Sequence, residues 1–200
     1  MGVDDASIHW TRVEPTNMSA RTYALAIQSL GPIRAAIGSR DSSILDGLVA
    51  NLDENYPELR DYAKDMIMQA SPGHEPGCWN YLIEPLASHI GLQVERLPME
   101  DWKHYAVWRE YRSVIESQLS TAAQPLLEWL ENGRALLGSD IKQDGCTFAW
   151  LSTAEAALLL NELSSVDTDE FDDLADFHEE LVDALQYAVE HNMELFLGAH

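Results

Sequence analysis

The stretch 148–166, FAWLSTAEAALLLNELSSV, decides the class of this chain. Phe148, Ala149, Trp150 and Leu151 make a short apolar run of the kind that forms a buried strand. Ser152-x-x-Glu155 follows at once. In that spacing the serine hydroxyl accepts from the Glu155 amide while the glutamate reaches back to the Ser152 amide, the reciprocal arrangement called a capping box. The chain therefore passes from a strand straight into a capped helix over 153–163.

Downstream, 164–181 reads SSVDTDEFDDLADFHEEL, with eight carboxylates and no Lys or Arg. As a calcium loop it fails. An EF-hand needs oxygen ligands at positions 1, 3 and 5, Gly at 6 and Glu at 12. Counting from Asp167 puts Phe171 at 5, Asp172 at 6 and His178 at 12; counting from Asp169 puts Phe171 at 3 and Leu174 at 6. As a helix it succeeds. Phe171, Leu174, His178, Leu181, Leu185 and Ala188 recur at steps of three and four, with Asp167 as the expected N-cap and Glu170 at the third position. Acid near that start also meets the positive end of the helix dipole.

The helix explains where the charge lies, but not how much there is. Asp169–Asp173, Asp172–Asp176, Asp176–Glu180 and Glu179–Asp183 are like-charged pairs four residues apart, each costing roughly 0.2–0.5 kcal/mol before screening. Either salt screens them or cations offset them. Arg109 and Arg112 are the expected sources within the chain, and a basic partner is the source outside it.

Upstream, Tyr23, Leu25 and Ile27 alternate with small or polar neighbours, which predicts a half-buried strand. Gly31-Pro32 ends it, and Pro32 suits the first position of a helix. Asp41 or Ser42 caps a second helix, and Pro57 opens a third. The loop at 71–77, SPGHEPG, precedes a helix that Pro85 kinks or delays. Tyr105, Trp108, Tyr111, Ile115 and Leu119 predict a long helix over 100–119, and another closes at Gly133. The chain ends on a strand, MELFLGAH. The sum is a mostly helical α+β domain over 21–200, with about eight helices around a small sheet of about three strands. Residues 1–20 are expected to be a poorly ordered extension.

Composition narrows the function. The net charge is −22, and residues 143–200 carry 14 Asp/Glu without a Lys or Arg. That excludes nucleic acid bound through its phosphates and an anionic membrane surface. Two cysteines make no disulfide framework, and the acidic N-terminus lacks the basic and apolar regions of a signal peptide. A cytoplasmic protein is expected. Nucleotide, phosphate, zinc-protease and hydrolase motifs are absent, and His74 with Cys78 falls two ligands short of a structural zinc. No cofactor and no metal are expected, and the oligomeric state stays open.

Two functional readings follow. The first is a non-enzymatic interaction domain, of an immunity or inhibitor type, whose Asp169, Asp172, Asp173, Asp176, Glu179 and Glu180 engage a basic protein partner. The second is a small-molecule-binding protein or enzyme. There His104 would act as a base oriented by Glu100 or Asp101, in a pocket walled by Trp102, Tyr105 and Trp108. A solvated acidic face and a plain aromatic core are the bland counterparts of the two.

The strand and short helix of TYALAIQSLGPIRAAIGSRD resemble uncharacterised bacterial domains, including the YfbM-like family. So do FAWLSTAEAALLLNELSSV and LADFHEELVDALQYAVEHNMELFLGAH, at the other end of the chain. The likeness covers the first 30 or so core residues and the last 55 or so. It implies a small cytoplasmic bacterial α/β domain and carries over no catalytic residue.

Overall fold

Alternation along one strand accounts for the layering. The computed structural model describes residues 20–70, 79–99, 101–138, 147–168 and 171–199. In chain order its elements are β1 (Thr22–Ile27), α1 (Leu30–Ser39), α2 (Ser42–Ala50), α3 (Glu58–Lys64), α4 (Ile83–His89), β2 (Val94–Leu97), α5 (His104–Ile115), α6 (Gln124–Asn132), β3 (Thr147–Leu151), α7 (Thr153–Leu163), α8 (Ala175–Glu190) and β4 (Glu194–Ala199). The expected extension over 1–20, except Ala20, and the expected loop at 71–77 lie outside the described residues.

In β1, Tyr23, Leu25 and Ile27 point to one side and Ala24 and Ala26 to the other, as a period of two requires. All six residues of the strand are buried. The strand is thus covered on both faces, not half-buried as its alternation suggests. The larger side chains meet α1 to α4, together with Phe148 and Phe196 from the neighbouring strands. The alanines face the α5–α8 layer, with Trp108, Phe177 and Leu181 in that same cluster. An alanine reads as a polar-side filler in sequence; here it lets a helix layer approach the sheet closely.

The sheet is antiparallel throughout, in the order β2-β1-β4-β3. It has four strands where about three were expected, and eight α-helices among the described residues. The added strand is β2. It is short, lies at an edge, and exposes Glu95 and Arg96, so it carries neither an apolar run nor a clean alternation. Its register on β1 pairs Ala24 with Leu97 and Ile27 with Val94.

The capping box forms with both arms. The Ser152 amide donates to Glu155 Oε2 at 2.8 Å, and the Glu155 amide donates to Ser152 Oγ at 3.3 Å. Asp41 caps α2 through the Ser43 amide at 2.8 Å. Ser29 caps α1, so Pro32 lies within the first turn rather than at its first position. Pro85 delays α4, which begins at Ile83 after a 3-10 turn over Trp79–Tyr81.

The acidic helix starts later than expected. A 3-10 turn over Asp172–Leu174 precedes α8, and Leu174 stands at the N-cap without a side-chain cap bond. Asp167 is not the cap. Phe171 and Leu174 are buried, and the turn draws Phe171 against Tyr111, with ring centroids 5.9 Å apart. Burial of those two apolar side chains, about 1.5–3 kcal/mol each, outweighs a cap worth about 1 kcal/mol. The buried stripe of α8 is Phe177, Leu181, Ala184, Leu185 and Ala188, with His178 at its margin.

Candidate functional site

The outer face of α8 carries Asp176, Glu179 and Asp183, and Asp173 precedes them in the 3-10 turn; all four are exposed. Among the described residues none of the four forms an ion pair. Arg112, one expected source of compensation, is turned elsewhere. It pairs with Glu116 and Glu131, each at 2.9 Å, and those bonds raise its pKa further. Asp169 and Glu170 lie outside the described residues, and Asp172 is placed only by its backbone in the 3-10 turn.

Glu180 departs from the rest of the acidic set. It is partly buried, and its Oε2 accepts from Trp102 Nε1 at 2.5 Å. Burial pushes its pKa up, and the nearby carboxylates of Asp101 and Asp176 add to the rise against the opposing effect of the Trp102 bond. One residue from each of the two sequence-derived sites thus meets here, an acid of the partner face and an aromatic wall of the pocket. The spacing of 78 positions concealed that contact.

Of the remaining predicted pocket residues, Trp108 and His104 are buried, and Tyr105 is half-buried. Trp108 is fully buried and stands edge-on to Phe177 at 5.0 Å and to Tyr111 at 6.2 Å. His104 is 1% exposed. Its Nε2 lies 3.0 Å from the Glu131 carbonyl, which only accepts, so Nε2 carries the proton. Its Nδ1 therefore accepts from Thr22 Oγ1, 2.8 Å away. Burial pushes the imidazole pKa down to about 4, leaving it neutral near pH 7. Both nitrogens are occupied by the fold. Tyr105 bonds Thr147 through its hydroxyl at 2.9 Å. Glu100 lies outside the described residues, and so do His74, Cys78 and Cys146.

No protein-family model, curated protein or solved structure matches this chain. Its side chains alone carry the functional reading. Among the described residues, no His, Cys, Asp or Glu group of three or more is placed to hold a metal ion, and no helix is long and apolar enough to cross a membrane.

A further cluster escapes sequence reasoning altogether. Arg134 follows α6, and its amide donates to the Phe148 carbonyl at 2.8 Å along the open edge of β3. Its guanidinium holds Glu155 with two bonds, of 2.8 and 3.0 Å, and also donates to the Trp150 carbonyl at 3.0 Å. Burial pushes the Glu155 pKa up, but Arg134 and the Ser152 amide and hydroxyl together bring it below its ordinary value. The guanidinium carbon stands 3.6 Å from the centroid of Trp150 and 3.9 Å from that of Trp129. Arg34, on α1, stands 4.1 Å from the same Trp150 ring. Two guanidinium groups therefore pack against the one indole.

Arg34 differs from Arg134 in what it bonds. Its Nε and Nη2 are buried and have no hydrogen-bond partner among the described residues. A buried donor left unmade costs about 1–3 kcal/mol, and more when charged, whereas a cation over an indole gains roughly 0.5–2 kcal/mol. Nothing in the sequence flags Arg34, which reads there as one charge on a short helix.

Proposed function

We propose that the protein is a non-enzymatic interaction domain whose acidic α8 face engages a basic protein partner, in the manner of an immunity or inhibitor protein. The observation that carries this reading is the exposed row of Asp173, Asp176, Glu179 and Asp183, without an ion pair among the described residues. The opposite face of α8 is fully used by the core, so the helix needs no charge on this side to fold. Like-charged neighbours on a helix are a standing cost. A complementary cationic surface would offset that cost and speed encounter. Glu180 contributes less than its neighbours, since Trp102 already occupies it.

Immobilised protein exposed to the source organism's lysate tests this. A partner of high isoelectric point should be retained at low salt and released at high salt. It should fail to bind a variant carrying Asp176→Lys, Glu179→Lys and Asp183→Lys that melts like the parent. Equal retention by parent and variant would sink the reading.

A further inference from the structure

We propose that residues 133–135 form a strap, locked by Arg134, that closes the β3 edge to pairing with a second copy of this chain. β3 stands at one end of the sheet order, so one side of it has no neighbouring strand. In an antiparallel ladder, alternate residues turn their amide and carbonyl groups to alternate sides. Phe148 and Trp150 are the residues turned away from β4, since Arg134 meets both of their carbonyls.

One residue thus holds both outward carbonyls. The Arg134 amide donates to Phe148 at 2.8 Å, and its guanidinium donates to Trp150 at 3.0 Å. A paired strand would supply both bonds from its backbone; here a side chain supplies one of them. Gly133 lets the strap approach this closely. A Cβ there would stand 3.0 Å from the Phe148 carbonyl oxygen, and its φ of +94° suits glycine. Trp150 Nε1 donates to the Ala135 carbonyl at 3.0 Å, and Glu155 fixes the guanidinium with bonds of 2.8 and 3.0 Å.

The strand under the strap is suited to pair with itself. Thr147–Leu151, TFAWL, contains no charge, no Pro and no Gly. A bare edge of that kind is a template for another strand. A two-fold axis beside Ala149 gives a self-complementary antiparallel register. Ala149 then faces Ala149 of the second copy, and Phe148 faces Trp150 in both directions. The outward amides and carbonyls of Phe148 and Trp150 exchange hydrogen bonds, and the two aromatic pairs share one face of the sheet. At the other edge, β2 is defended by charge instead. It exposes Glu95 and Arg96, and self-pairing about Glu95 would oppose two like charges.

Sedimentation velocity at high salt, where repulsion between two chains of net charge −22 is screened, reads the outcome. The parent should be monomeric. Arg134→Met keeps an apolar stem on Trp129 and Trp150 but removes the guanidinium donors, and should dimerise at least about tenfold more tightly than the parent. Gly133→Ala leaves Arg134 in place and should act alike, by pushing the strap off Phe148. As either variant is concentrated, amide exchange should slow at Phe148 and Trp150 and stay unchanged at Val94 in β2. Folded variants that remain monomeric would overturn the proposal. A parent that dimerises as tightly would do the same, as would dimers in which those two amides do not slow. Loss of the fold in both variants would also overturn it, because the strap would then be part of the core and not a cover.

Discussion

Thr22 and His104, 82 positions apart, share a buried hydrogen bond of 2.8 Å that joins the first strand to the first turn of α5. The backbone reinforces it, since the His104 amide donates to the Ala20 carbonyl at 2.8 Å and the Thr22 amide to the Trp102 carbonyl at 2.9 Å. Thr22→Val keeps the shape and removes the hydroxyl. It leaves Nδ1 buried without a donor and should cost about 1–3 kcal/mol in urea unfolding.

His104 also makes stability depend on pH. Its folded pKa of about 4 lies below the ordinary 6.5, so between those values the unfolded chain binds the proton more tightly. The contribution is full above about pH 6.5 and is lost as the pH falls toward 4. It amounts to about 3 kcal/mol at most. Carboxylates titrate over part of the same range, so the comparison needed is with His104→Gln. That variant should be less stable at pH 7 and show a shallower decline in unfolding free energy between pH 6.5 and 4. Parallel curves would remove His104 as the cause.

Gly198 is required by Tyr23. A Cβ there would stand 2.4 Å from Tyr23 Cζ, on the strand opposite. The Tyr23 ring lies over the bare backbone, and its hydroxyl reaches the Asn80 carbonyl at 2.6 Å. Gly198→Ala should cost roughly 1–3 kcal/mol by overpacking. Tyr23→Leu should lower that penalty in a double-mutant cycle, and strict additivity of the two changes would refute the contact.

Ser152 serves Glu155, which in turn anchors Arg134 and the open edge of β3. Ser152→Ala should lower stability by about 1 kcal/mol. Glu155→Gln keeps a capping side chain but loses the charge facing Arg134, so its loss should shrink as salt is added. A salt-independent loss would place the effect in the cap alone.

The α8 face should respond to a single charge reversal even without a partner. Asp183→Lys replaces a repelling Glu179–Asp183 pair with an attractive Glu–Lys pair in the favourable order. It should raise stability by about 0.5–1 kcal/mol at low salt. No gain in thermal unfolding would mean that solvent already screens these carboxylates.

Local chemistry was legible from the chain alone. The capping box at Ser152 and Glu155, the Asp41 cap, the Gly133 stop, the Leu181, Leu185 and Ala188 part of the last helix's buried stripe and the α+β class rest on neighbours within about four residues, and these are read directly. Tertiary packing alone decided the rest. It covered both faces of β1, because alanines admit a second helix layer. It delayed α8 beyond Asp167, because burying Phe171 and Leu174 outweighs a cap. It gave Glu180 to Trp102 and set Arg34 against Trp150. Those pairings join residues 78 and 116 positions apart, and no periodicity of three, four or two encodes a contact at such a range.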